Sequence, residues 1–142
     1  MKWWPADFEA GDILRIKCGD VWHYCIYVGE DKVVQFGEPP TRLLLRNEAE
    51  IKVIESNIED FAQGNIPEVA ILDHKELKKR FPKEETVRIA KSRIGEGGYS
   101  LLHNNCEHFV NECVFGIKKS SQIDEVREFW KNKLGNSPHK TT

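Results

Sequence analysis

An α+β domain built on an antiparallel sheet is the fold class that the sequence predicts. Strand-like runs come first and helical runs follow, without the alternation that builds βαβ units. The strongest strand run, residues 22–28 (Trp-His-Tyr-Cys-Ile-Tyr-Val), is followed after Gly29-Glu30-Asp31 by a second at residues 32–36, and the pair reads as a hairpin. From Cys106 onward, Cys106, Phe109, Val110, Cys113 and Val114 form the i, i+3, i+4, i+7, i+8 stripe of an amphipathic helix.

Residues 13–16 form a short strand ahead of the hairpin, and after the interruption at residues 37–40 further strands are expected at 41–45, 51–55 and 69–72. Residues 82–94 read as a helix. Pro82 stands near its start, Glu84 and Glu85 lie in the first turn, Val87, Ala90 and Ile94 share a face, and Gly95 follows the end. The Cys106 helix has Asn104 and Asn105 as N-cap types and Gly116 as its stop. A last helix is expected over 121–134, opened by Ser121 and Asp124 in a capping-box spacing and striped by Ile123, Val126, Trp130 and Leu134. Residues 136–142 read as a disordered tail, which leaves a single domain over 1–135.

With 21 basic and 23 acidic residues the formal charge is −2, so bulk electrostatics do not point to nucleic acid or to an acidic membrane. The most basic run, residues 75–80, reads as a solvated face. No window approaches the roughly 18 apolar residues of a spanning helix, and the first residues lack the apolar core of a signal peptide. The expectation is a soluble, cytoplasmic chain. Cys18, Cys25, Cys106 and Cys113 contain no Cys-x-x-Cys pair, so no zinc site is indicated. Cys106 and Cys113 lie two turns apart, about 10.5 Å along the helix axis and beyond disulfide reach. All four are expected to be free thiols.

Cys106 falls at the first turn of its helix, where N–H groups and the positive dipole end lower a thiol pKa, and this makes it the candidate nucleophile. A thiol nucleophile needs a base, usually histidine, held by a third polar group. His108 sits about 200° around the helix from Cys106, so its ring is expected to leave on another face. His103 precedes the helix with nothing to orient it, His74 falls in a charged loop and His139 in the tail. His23 remains. Strand alternation puts His23, Cys25 and Tyr27 on one face and Trp22, Tyr24, Ile26 and Val28 on the other. A three-residue loop at 29–31 sets Cys25 opposite Gln35 and His23 diagonal to it, so that Gln35 fixes the imidazole tautomer. A two-residue loop turns Gln35 away. The structural alternative for each residue is ordinary: a hydrogen-bonded core histidine, a core cysteine and a packed polar side chain.

The block Asn105-Cys106-Glu107-His108-Phe109-Val110-Asn111-Glu112, with Gly11-Asp12 and Trp22-His23-Tyr24-Cys25-Ile26-Tyr27-Val28-Gly29, resembles the lecithin:retinol acyltransferase family, especially its H-Ras-like suppressor phospholipase/acyltransferase branch. The resemblance covers roughly residues 9–122. It implies a circularly permuted papain-like fold, an antiparallel sheet packed against about three helices, in which the histidine strand precedes the cysteine helix. It implies Cys106 as nucleophile and backbone oxyanion donor, His23 as base and position 35 as the third polar group. The phospholipase branch commonly has a second histidine there, and this chain has Gln35.

The chemistry so implied is phospholipase A or acyltransferase action through a thioester on Cys106, with a glycerophospholipid as donor and water or an amine as acceptor, and with no cofactor or metal. Several members carry an apolar C-terminal anchor, whereas residues 136–142 are polar, so only transient membrane contact is expected. That contact would use Trp3, Trp4 and the last helix. Set against it, Trp130 reads as core and Trp3 and Trp4 as cover for the sheet edge. Two other functions fit the same residues: a cysteine peptidase or amidase, and a non-catalytic interaction module that retains the fold.

Overall fold

The structure, a computed structural model, describes residues 1–40, 47–101 and 104–117. Six strands form one antiparallel sheet: β1 (Lys2–Trp4), β2 (Ile13–Cys18), β3 (Val21–Gly29), β4 (Lys32–Phe36), β5 (Val53–Asn57) and β6 (Glu68–Ile71), in the spatial order β1-β6-β2-β3-β4-β5. Among the described residues four helices accompany it: α1 (Ile58–Ala62), α2 (His74–Lys79), α3 (Lys83–Ser92) and α4 (Cys106–Phe115). The α+β class with an antiparallel sheet is what the sequence predicts. The strict succession of strands before helices is broken, among the described residues, only by α1, which falls between β5 and β6. The strand expected over 41–45, the helix over 121–134 with Trp130, and the tail over 136–142 lie outside the described residues.

The two faces of the sheet are both apolar, and each is covered differently. On one face Tyr24, Ile26, Val34, Phe36 and Val53 pack against α3 and α4 through Ala90, Phe109, Val110 and Cys113. On the other, Leu14, Ile16, Cys25, Val33 and Val69 close over Phe61 of α1. β3 is central and feeds both cores by alternation, so His23 and Tyr24 leave it in opposite directions. Trp3 packs on Tyr24 from edge strand β1, with ring centroids 5.7 Å apart, while Trp4 on the opposite side of that strand is 66% exposed. The edge location holds for both tryptophans, but only Trp3 covers anything.

Several boundaries shift. The strand expected at 51–55 runs Val53–Asn57, since Ile51 closes a 3-10 turn (Glu48–Glu50). The helix expected over 82–94 is shorter by a residue or two at each end, and Ile94 is exposed beyond it. His74 does not lie in a loop. It opens α2, where Asp73 and Glu76 form a reciprocal capping box. Residues 75–79 are its exposed face, as the charge run indicates, while Arg80 turns inward to donate to the carbonyls of Phe81 and Gly11. Gly11 (φ 99°) has no room for a side chain, because a Cβ would stand 2.5 Å from the Cβ of Lys83. Lys83 pairs with Asp12 at 3.0 Å there, fastening α3 to the start of β2.

The β3–β4 hairpin carries the register on which the site depends. Its tight turn has two residues, Glu30 (φ 53°) and Asp31 (φ 60°), both left-handed as a type I′ turn requires. Alone, such a turn would reverse the face of Gln35. A bulge between Tyr27 and Gly29 adds the missing residue to β3, so Cys25 stands opposite Gln35, the pairing that the three-residue loop predicts. Left-handed backbone at non-glycine residues costs roughly 1–2 kcal/mol each. Replacing Glu30-Asp31 by Asn-Gly is therefore expected to raise the thermal midpoint by several degrees, with the far-ultraviolet dichroism unchanged, as measured by thermal unfolding.

Candidate active site

His23 is 2% exposed, carried on β3 with its ring beside Phe61, 5.6 Å between centroids. Its Nε2 lies 2.8 Å from Gln35 Oε1. An amide oxygen only accepts, so Nε2 carries the proton and donates, which leaves Nδ1 as the basic nitrogen. Gln35 is itself held: its Nε2 donates to Ser56 Oγ on β5 at 3.0 Å. Three adjacent strands thus fix one imidazole tautomer, and Gln35 acts as acceptor in that arrangement. Ser56 is a member that sequence reasoning missed. A serine in an edge strand has no local signal, and only the β4–β5 register, Gln35 opposite Ile54, reveals it.

Cys106 is the first residue of α4, and its position is set by the residues around it in the chain. Asn105 is the N-cap. Its Oδ1 accepts from the N–H groups of Glu107 and His108, each at 3.0 Å. The Nδ1 of His108 accepts from the Asn105 N–H at 2.9 Å, which completes a capping box with histidine in the place usual for glutamate. The ring of His108 thus folds back over the cap instead of reaching the thiol, as the helix geometry excludes. The Asn-Cys-Glu-His spacing carries this signal in the sequence once histidine is admitted as the N3 partner. Gly116 (φ 73°) closes the helix in the left-handed region.

The sulfur of Cys106 meets the backbone of β3. Tyr27 N–H bonds back to Asp12 on the β2 side. Alternation therefore aims the Tyr24 N–H at the β4 side, where strand pairing stops at Cys25–Gln35. The N–H groups of Tyr24, Cys106 and Glu107 all favour the thiolate. Burial opposes them and prevails, for Cys106 is 7% exposed and the Glu107 carboxylate adds repulsion, so the thiol pKa is pushed up to about 11. The lowered pKa expected from the helix start is thereby corrected. A dipole worth about 1 kcal/mol does not offset the removal of a thiolate from water.

The structure thus brings His23 and Gln35 into direct contact and seats Cys106 against the residue that follows His23. His74 is exposed at the start of α2, and His103 and His139 lie outside the described residues. Cys18, Cys25, Cys106 and Cys113 are all free thiols. Among the described residues no group of three His, Cys, Asp or Glu side chains is arranged to hold a metal, and no helix is long and apolar enough to cross a membrane.

The family model of Lecithin retinol acyltransferase matches residues 6–119. The chain is 34% identical over 139 residues to Lecithin retinol acyltransferase of Mus musculus, an alignment spanning 84% of this chain and 60% of that protein. It is 32% identical over 141 residues to the Homo sapiens protein of the same name, spanning 87% and 61%. It is also 30% identical over 131 residues to Phospholipase A and acyltransferase 4 of Homo sapiens, spanning 84% and 77%. The chain therefore covers about 60% of the length of the first two relatives.

Two measurements test the site as built. Because the thiol holds its proton at neutral pH, alkylation of Cys106, followed by peptide mapping, should be slow at pH 7 and still be accelerating above pH 9, where a free cysteine of pKa about 8.5 has levelled off. His108→Ala should lower stability by about 1 kcal/mol through loss of the cap, while His108→Gln retains most of it, as read by urea unfolding.

Proposed function

Because the chain belongs to the lecithin retinol acyltransferase family, we propose that it is a thiol-dependent phospholipase A/acyltransferase that forms a thioester on Cys106 from the acyl chain of a glycerophospholipid. The observation that carries this reading is the His23–Gln35 hydrogen bond, which leaves Nδ1 of His23 basic beside the strand position where the Cys106 sulfur is held.

At rest burial disfavours the Cys106 thiolate, and Gln35 brings no charge that would stabilise an imidazolium on His23. Attack and deprotonation are therefore coupled. His23 Nδ1 takes the thiol proton as Sγ bonds to the ester carbonyl carbon, and the carbonyl oxygen becomes an oxyanion that the Cys106 backbone N–H stabilises. Collapse breaks the bond to the glyceryl oxygen, which leaves with the proton returned by His23. A lysophospholipid and an acyl-Cys106 thioester remain. In the second half His23 deprotonates water, giving a free fatty acid, or an amine or hydroxyl acceptor, giving the acylated product, and the thiol is restored. Gln35 acts as a positioning residue throughout, holding the tautomer in which Nδ1 is the base.

A cytoplasmic location with transient contact at the membrane surface accords with this substrate. The exposed Trp4 offers an interfacial anchor. The raised thiol pKa and the neutral Gln35 also fit a non-catalytic module that keeps the fold, and one experiment separates the two. Incubation with phosphatidylcholine vesicles and intact-mass measurement should find an acyl adduct that is absent in Cys106→Ala. His23→Ala should slow its formation by about 10²–10⁴-fold, and Gln35→Ala by roughly tenfold, the worth of one buried hydrogen bond. An unmodified mass throughout, or full activity in Cys106→Ala, would sink the assignment.

A further inference from the structure

The Gln35 side chain is 1% exposed, and both ends of its amide are engaged. Oε1 faces His23 Nε2 at 2.8 Å, and Nε2 donates to Ser56 Oγ at 3.0 Å. A neutral imidazole nitrogen is a donor in one tautomer and an acceptor in the other. An amide turned end for end would therefore make the same contact with His23. It would donate its N–H to the ring Nε2, and the ring proton would move to Nδ1. In that tautomer Nδ1 has no lone pair with which to take a proton from a thiol. The direction of one side-chain amide thus decides whether His23 can act as a base.

What each end of the amide meets sets that direction. Ser56 of β5 stands opposite Val33, and Ile54 opposite Gln35, so Ser56 is the diagonal neighbour of Gln35 on the same face of the sheet. It is half-buried there, and its oxygen accepts from the amide N–H. At the other end, the backbone N–H groups of Tyr24, Cys106 and Glu107 all favour negative charge on the Cys106 sulfur. A sulfur already supplied with donors is best matched by a ring nitrogen that accepts its S–H, which requires the His23 proton on Nε2 and the amide oxygen toward it.

Without the Ser56 hydroxyl, that orientation would leave a buried amide N–H without a partner. Turning the amide would place the N–H on His23 Nε2 and leave the carbonyl oxygen unpartnered instead. A buried orphan N–H is the rarer of the two in folded proteins, so the amide is expected to turn. We propose that Ser56 is a positioning residue for the base: by accepting from Gln35 Nε2 it holds the amide oxygen on His23 and keeps the ring proton on Nε2. The proposal rests on the acyl-transfer reading for its catalytic meaning, but the tautomer is measured without turnover.

Ser56→Thr and Ser56→Val supply the test, because both are β-branched, suit a strand and differ from each other in the hydroxyl. A role in packing alone would treat them alike. The tautomer is read at alkaline pH from nitrogen-to-ring-proton couplings in nitrogen-labelled protein, with the His23 signals assigned by comparison with His23→Ala and each fold checked by dichroism. The wild-type chain and Ser56→Thr should hold the proton on Nε2. In Ser56→Val, and in Ser56→Ala as a smaller replacement, the Nδ1–H form should exceed the other by about threefold or more. Acyl-adduct formation with phosphatidylcholine vesicles should fall by roughly fivefold in Ser56→Val and return to within about twofold of wild type in Ser56→Thr. An unchanged tautomer in both Ser56→Val and Ser56→Ala, or a Ser56→Thr variant that behaves as Ser56→Val does, overturns the proposal. A tautomer that turns as expected, with no acyl adduct on the wild-type chain, would leave the positioning role standing and remove the catalytic reading.

Discussion

The hydrogen bond from His23 Nε2 to Gln35 Oε1 is the interaction on which the rest of the site depends. It is buried between Phe61 and the sheet, where an unpaired imidazole or amide would cost about 1–3 kcal/mol, so each partner holds the other in place. It exists only because a bulge in β3 cancels the effect of a two-residue turn. Without that one extra residue Gln35 would face α4, and His23 would lose this partner. Gln35 Nε2 donates to Ser56 Oγ, which leaves the amide oxygen to accept from His23. A chain of three strands therefore decides which ring nitrogen of one histidine is basic.

Cys106, the proposed nucleophile, is held by other contacts. α4 begins in a reciprocal cap between Asn105 and His108, and the sulfur of Cys106 sits where β4 has parted from β3, within reach of three backbone N–H groups. Those donors resemble an anion site, yet the thiol is harder to ionise than in water, by about 3 kcal/mol for a pKa pushed up to about 11. Burial and Glu107 together exceed the donors. A site of this kind does not store a thiolate. In the proposed reaction its N–H groups meet charge that appears during the step, which is where electrostatic stabilisation accelerates a step instead of merely ionising a group.

The opposite faces of β3 carry opposite duties. His23 and Cys25 point toward α1, and Tyr24 points toward α4 and a charged cavity. Cys106 packs in the cluster on the Tyr24 side and meets the Tyr24 backbone N–H. His23 is thereby enclosed on the α1 side of the sheet beside Phe61, and the cavity lined by Arg15 and Glu107 lies on the α4 side.

Much of this was legible in the sequence. The alternation from Trp22 to Val28 put His23 and Cys25 on one face, the stripe from Cys106 to Val114 set the helix, and helix geometry removed His108 from the list of bases. Those are local patterns with periods of two and 3.6, and they survive folding because each is a property of a single element. The Asn-Cys-Glu-His block and the His23 strand likewise carried the family. What only the tertiary structure decided depends on pairs distant in the chain: the bulge that restored the register, Ser56 behind Gln35, the cavity where β1, β2, β3, α2 and α4 meet, and the direction in which the Cys106 pKa moves. The last is the clearest case. Sequence shows the helix start and its dipole, which favour the thiolate, but burial is created by the packing of the whole domain and reverses the sign.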